Sequence, residues 1–483
     1  MKLPFVTKPA ASCSPVIASD RKLNAFEKDS ISNQRPQEKC GVFAVYNYQG
    51  PGNAATIAYL GLLALQHRGQ ESAGMAYVTS QGLQVARGMG LVANVFSRDE
   101  LLKINAKTIL GHVRYSTTGS SSAANAQPLL ARSFDKRGIA LAHNGNLTNT
   151  PGLQKKQLLE GQIFHTTSDT ELILSTLFRY RPLGLLNSVK KTMDIIEGAY
   201  AAVMLDENNM VAFRDPHGFR PLVMGRIGNS FIFASETAAL QTVGAEFERE
   251  LEPGEIVIAG PDGFQSEVYK QAAKRSLCIF EYVYFSRPDS EIDGMSVHLV
   301  RRKVGSYLGA RIHADLDMVI PSPDSGVSAA IGLAEHLKLP LEWAVHRNPY
   351  LGRTFIAPSQ VEREMAVRLK FNPIKTLVAG KKVAVVDDSL VRGTTARVLA
   401  SILKASGAAE VHLCIASPPY KYPCYYGIDI PVAKELAALH EDPFQLAASI
   451  GVESIVFAEP EDLYRAVEKK ESEYCTACFS GIY

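Results

Sequence analysis

Between residues 40 and about 260 the apolar positions come in short runs, such as Val42, Phe43, Ala44 and Val45, split by Gly, Asn and Pro turns. That rhythm predicts strands; only a few stretches, 54–66 (AATIAYLGLLALQ) and 169–179 (DTELILSTLFR) among them, carry helical spacing. The expectation is an antiparallel, strand-rich α+β domain. Past the turn-rich 251–264 and the polar 271–276 (QAAKRS) the rhythm changes to strand, loop and helix in alternation. DMVIPS (317–322) precedes a helix from 325, KKVAVVDD (381–388) a helix from 394, and VHLCIASPP (411–419) a further helical stretch. Such alternation predicts a parallel sheet with crossover helices, and a domain boundary near residue 270.

Composition narrows the class. A chain of 483 residues, 46% apolar and 21% charged, can bury two or three cores. Its net charge of +2 gives no argument for a nucleic acid or an anionic membrane, and no run approaches the roughly 18 apolar residues of a membrane span. Seven scattered cysteines suit a reducing compartment, with thiols used for catalysis or metal rather than disulfides. Residues 1–39 hold seven Lys/Arg, five Ser and four Asp/Glu without a secretory apolar core. They read as a tail, a transit peptide or a removable leader.

Residues 381–407 are the richest stretch. Val383–Val386 predict a buried strand whose carboxyl end presents Asp387 and Asp388, where open α/β sheets bind ligands. Gly393, Thr394 and Thr395 then open a helix, and a small-residue loop at a helix N-terminus cradles phosphate. Two acids beside a phosphate call for Mg²⁺ or the hydroxyls of a sugar. The block VVDDSLVRGTT resembles the phosphoribosylpyrophosphate (PRPP) loop of type I phosphoribosyltransferases. The resemblance implies that Asp387 and Asp388 hold the ribose and share Mg²⁺ with Ser325 of IPSPDSG (320–326), and that Ser389, Arg392, Gly393, Thr394 and Thr395 receive the 5′-phosphate. It also implies that 346–372, with Arg347, Tyr350, Arg353, Arg363, Arg368 and Lys370, is a lid over PRPP. There the chain has Arg347 and Pro349 where the family usually has Lys and Arg.

Cys40 sits at a strand mouth. A thiol of reference pKa about 8.5 needs a base at neutral pH, and a free α-amine on the same residue supplies one if the bond before Cys40 is cut. The first half resembles the glutaminase domain of N-terminal-nucleophile amidotransferases, carried by LQHRGQESAGM (65–75), GHVRYSTTG (111–119), AHNGNLTN (142–149) and SDTE (168–171). By that resemblance Cys40 is the nucleophile, Asn144 and Gly145 form the oxyanion hole, and Arg114, Thr117 and Asp169 bind glutamine. Residues 1–39 are then a propeptide, and Lys39 and Ala44 depart from the usual Glu and Gly.

The CTAC at 475–478 fits zinc, redox or iron–sulfur use by itself. Cys278 and Cys424 bring the set to four thiolates, and their contexts are similar to the cluster-bearing branch of the glutamine PRPP amidotransferases; a [4Fe–4S] cluster is implied, with structural zinc the nearest competitor. The resemblance covers about 38–483. It implies an α+β N-terminal-nucleophile glutaminase domain (an α/β/β/α sandwich) over 40–270. An α/β type I phosphoribosyltransferase domain with a parallel sheet and a cluster-ligating tail then spans 271–483. The implied partners are glutamine, PRPP, purine nucleotides as feedback inhibitors and further copies of the chain in a tetramer, in the cytoplasm or, through 1–39, an organelle. Two rivals differ in kind: an ammonia-dependent transferase with an inert glutaminase half, and a PRPP-sensing regulator, which would need a basic DNA-reading domain that is not visible.

Overall fold

The computed structural model describes residues 40–115, 122–134, 137–348, 371–428, 436 and 442–483. Strand alternation sorts the first half into layers. Along Gly41–Tyr46, Val42 and Ala44 point into a core shared by two sheets, while Phe43 and Val45 point outward under the helix Ala54–Ala64. All four are fully buried, which for a valine or phenylalanine is worth about 1.5–3 kcal/mol each and holds the strand behind Cys40 in place.

The first sheet has seven antiparallel strands in the order Glu246–Glu250, Val223–Ile227, Ser230–Ala234, Gly41–Tyr46, Ile109–Arg114, Ser72–Thr79 and Gly82–Met89. The second has six, Gly263–Val268, Glu255–Gly260, Met210–Arg214, Gly198–Leu205, Gly138–Leu147 and Leu129–Arg132. Helices Asp169–Tyr180 and Leu185–Ile195 cover the second sheet as Ala54–Ala64 covers the first. The result is an α/β/β/α sandwich. Both predicted helices form, and each has a side-chain cap: Asn53 accepts from Ala55 N at 2.7 Å, and Ser168 Oγ accepts from Thr170 N at 3.3 Å.

Beyond Val268 the main sheet is parallel, with two short antiparallel pairs beside it. Met318–Pro321, Lys382–Asp387, Glu410–Ile415 and Ser454–Phe457 form a four-stranded parallel sheet in that order. Val297–Gly309 and Val327–Leu337 pack on one face, and Thr394–Ala405 with Pro443–Ile450 on the other. Lys382–Asp387 lies between two neighbours and is buried on both faces, so it reads as a continuous apolar run.

Candidate active site

Three constellations take shape on this frame. The first surrounds Cys40, which is 6% exposed and immediately precedes a central strand. Gly41 pairs with Val113, so Arg114 ends the neighbouring strand beside the sulfur. The thiol donates to the Tyr115 carbonyl at 3.5 Å. Burial pushes its pKa up, Arg114 and the Tyr115 contact pull it down, and Asp169 and Glu71 push it up again. Its surroundings thus keep it a thiol, and an effective nucleophile here needs a base.

From the second sheet comes Asn144, fully buried, whose amide nitrogen and oxygen both lack a hydrogen-bond partner among the described residues. Two unmet polar atoms in a packed core are costly unless a ligand completes them. Gly145 follows at φ +149°, and a Cβ there would lie 1.9 Å from the Ala199 carbonyl oxygen, so only glycine fits. Asp169 opens its helix and accepts from Leu147 N at 3.0 Å through Oδ2. His143, 3.7 Å from the same oxygen, is kept neutral by burial, which lowers its pKa.

The second constellation lies at the carboxyl end of the parallel sheet. Asp387, Asp388 and Ser389 are all buried there, and Ser325 Oγ donates to Asp387 Oδ1 at 3.2 Å. The close approach of the two loops depends on Gly326, where a Cβ would fall 2.1 Å from the Val386 carbonyl. Gly393 takes φ +73° as the N-cap of Thr394–Ala405. Arg347 ion-pairs with Asp324. Behind Asp388, Arg301 donates to the carbonyls of Tyr282 at 2.6 Å and Ser286 at 2.8 Å, and burial lowers its pKa to about 10 against the pull of Asp388. A cavity of about 10 Å³ between Tyr282, Arg301, Ser325 and Asp388 would admit one water-sized molecule.

The third is made of cysteines. Cys278 and Cys475 are register partners in a short parallel pair, and the Cys478 carbonyl accepts from Lys421 N and Tyr422 N, both at 3.1 Å, which brings in the loop that carries Cys424. Burial raises all four thiols, Cys424 to about 11 and Cys475 to about 12, and apart from Cys278, for which Glu281 plays that part, each is raised further by charge on its fellows. Among the described residues no three His, Cys, Asp or Glu side chains gather closely enough for one metal ion. A tetrahedral zinc would draw its sulfurs to about 3.8 Å of one another.

Comparison with known proteins gives the family and fold. A glutamine amidotransferase domain model matches residues 112–242. The amidophosphoribosyltransferase of Bacillus subtilis is 42% identical over 450 residues, 92% of this chain and 94% of that one. Amidophosphoribosyltransferase 2, chloroplastic, of Arabidopsis thaliana is 39% identical over 501 residues, 100% of this chain and 88% of that one. The solved glutamine PRPP amidotransferase from B. subtilis, complexed with ADP and GMP, superposes with a TM-score of 0.86 over 92% of this chain and 97% of its own. The chain belongs to the amidophosphoribosyltransferase family. It is a glutamine-dependent pentosyltransferase with an N-terminal-nucleophile glutaminase part and a phosphoribosyltransferase part.

For an amidophosphoribosyltransferase, the structure gathers Cys40, Arg114, Asn144, Gly145 and Asp169 at one end of the sandwich, and Ser325, Asp387, Asp388, Ser389, Arg392 and Gly393–Thr395 at the ends of the parallel strands. Thr117, the lid residues 349–370 with Pro349, Tyr350, Arg353, Arg363, Arg368 and Lys370, and residues 1–39 lie outside the described residues. One set escapes sequence reading. Arg68, 1% exposed, donates to the Cys40 carbonyl at 3.3 Å, to Glu236 at 2.5 Å and to both oxygens of Glu281 at 3.0 Å. Burial resists ionisation of the Glu236 carboxyl, but His67 and Arg68 outweigh it and hold its pKa well below the usual range. A signal existed: Glu281 is the lone charge in the apolar run CIFEYVYF (278–285), and such a residue is buried only when paired.

Proposed function

We propose that Cys40, made N-terminal by removal of residues 1–39, hydrolyses glutamine and that the ammonia crosses to the acid pair at Asp387 and Asp388 to attack PRPP. The products are glutamate, 5-phosphoribosylamine and pyrophosphate, the opening step of purine synthesis. The α-amine of Cys40 takes the thiol proton, and the sulfur bonds to the amide carbon of glutamine. The charge that develops on the amide oxygen falls to the Asn144 amide and the Gly145 N–H. The amine returns its proton to the leaving nitrogen, the C–N bond breaks, and water hydrolyses the thioester. Arg114 and Asp169 hold the α-carboxylate and α-ammonium of glutamine, with Thr117 beside them. The observation that carries this reading is the fully buried Asn144 amide, whose two polar atoms have no partner among the described residues.

At the second site ammonia adds to the anomeric carbon as the bond to pyrophosphate breaks. The hard oxygen donors Asp387, Asp388 and Ser325 suit Mg²⁺, which when bound neutralises charge on the departing pyrophosphate. Ser389, Arg392 and Gly393–Thr395 take the 5′-phosphate, and Arg347, Tyr350 and Arg353 belong to the closing lid. The small cavity between Tyr282 and Asp388, with room for one water-sized molecule, would admit ammonia. Cys278, Cys424, Cys475 and Cys478 would hold a [4Fe–4S] cluster through their thiolates. When bound it ties the chain's last turn to the sheet. Purine nucleotides would act as feedback inhibitors; the solved B. subtilis neighbour is complexed with ADP and GMP. The working form would be a tetramer, in the cytoplasm or, through residues 1–39, in an organelle. No helix of the described residues is long and apolar enough to cross a membrane.

Cys40→Ala tests the division of labour. Synthesis of phosphoribosylamine from glutamine should vanish while synthesis from ammonium salts continues, and the active wild type should begin at Cys40 on N-terminal sequencing. Equal loss of both activities would contradict the two-site assignment.

A further inference from the structure

A cleft of about 480 Å³ opens on the edge of the sandwich, and neither Cys40, Arg114, Asn144 nor Asp169 lines it. Its size suits a small molecule. The edge strand of the second sheet, Leu129–Arg132, contributes one wall and helix Asp169–Tyr180 another, with Leu129, Leu174 and Phe178 as an apolar surface. Arg87 enters from the edge strand of the first sheet, beside Arg132 and His165.

The charges in this cleft do not balance. Arg87 donates to the carbonyls of Ala126 and Pro128, and Arg132 to that of Leu83; among the described residues neither has a carboxylate partner. Glu171, the acid in the lining, is already engaged by His165 N at 2.9 Å and by Thr166 N and Oγ1, both at 2.7 Å. Arg179 is matched by Glu160. Two guanidinium forks with spare donors therefore face an apolar wall, and such forks favour phosphate and carboxylate oxygens.

The cleft also adjoins machinery. Glu171 holds the backbone of 165–166, Thr167 N donates to Asn125 at 3.0 Å, and Ser168 caps the helix that Asp169 begins. A ligand that draws on His165, or draws Arg87 from the carbonyls of 126 and 128, moves segments that lead straight to Asp169.

We propose that this cleft is a second binding site, for a small organic anion with a phosphate or carboxylate on an apolar or aromatic body, and that its occupancy adjusts glutamine binding. The adjustment rests on the assignment of Asp169 to glutamine; the binding does not.

Phenyl phosphate, titrated calorimetrically into the full chain with ribose 5-phosphate saturating the sugar-phosphate loop, should report one further site with a Kd below about 1 mM. Inorganic phosphate, which lacks the ring, and benzyl alcohol, which lacks the charge, should each bind at least about tenfold more weakly. Arg87→Gln and Arg132→Gln should each weaken phenyl phosphate about tenfold, and Arg132→Gln, whose arginine bonds the Leu83 carbonyl rather than those of 126 and 128, should leave unliganded glutamine hydrolysis unchanged. Absence of the extra site, or binding indifferent to both substitutions, overturns the site. Binding that leaves the KM for glutamine unmoved overturns the regulatory half alone. Because the heat is read without turnover, a failure of Cys40 as nucleophile would not disguise either result.

Discussion

Asn144 shows what a single residue reveals about purpose. A buried asparagine normally bonds to the backbone, yet here both amide atoms lack a partner among the described residues and the next residue is a glycine that nothing larger can replace. Removing the amide should therefore leave folding intact and cost catalysis. Asn144→Ala is expected to lower glutamine-driven kcat about 10²- to 10³-fold, the usual price of one oxyanion donor. Its Tm should fall little, because the amide makes no hydrogen bond to the described residues; a large drop in Tm with unchanged kcat would make the residue structural. In the sequence, HNG was legible as a candidate only through its company of motifs. The unmet amide, the decisive fact, depends on what the fold fails to place beside it.

At the scale of elements, the strand rhythm and the change to βα alternation were readable because burial imposes period two on a one-faced strand and continuous apolarity on a two-faced one. Asp387 and Asp388 were readable for the same reason: they end such a run. What periodicity could not supply was long-range pairing, such as Cys278 beside Cys475, since a two-residue strand has no pattern of its own. Gly326 belongs to this class. Its sequence context is an ordinary turn, but it lets the loop holding Ser325 lie against the end of the central strand. A methyl group 2.1 Å from the Val386 carbonyl must part the two. Gly326→Ala should raise the KM for PRPP at least about tenfold, in ammonia-driven as well as glutamine-driven synthesis, while glutamine hydrolysis alone is spared. Unchanged PRPP kinetics would show that the loops need not touch.

In the whole molecule the two halves meet through buried charge. Glu281 follows the antiparallel sheets in sequence, yet it receives Arg68, which holds the Cys40 carbonyl, and Arg220 at 3.5 Å, which also donates to the Tyr426 carbonyl in the cysteine loop. Two guanidiniums, Arg68 and Arg220, face two carboxylates, Glu236 and Glu281, and all four are buried. Glu281→Gln would keep the shape but leave one buried cation uncompensated, a loss of about 3–5 kcal/mol when a buried pair is broken. Urea unfolding should register that loss, and glutamine hydrolysis should fall with it because Arg68 loses the partner that aims it at Cys40. Replacing Glu281 and Arg220 together by Met removes one charge of each sign and leaves Arg68 with Glu236. If charge balance is what joins the halves, the double variant should recover most of the stability lost in Glu281→Gln. If it is as unstable as the single variant, the hydrogen bonds to Tyr426 and the carboxylate, rather than the balance of charge, hold the halves together.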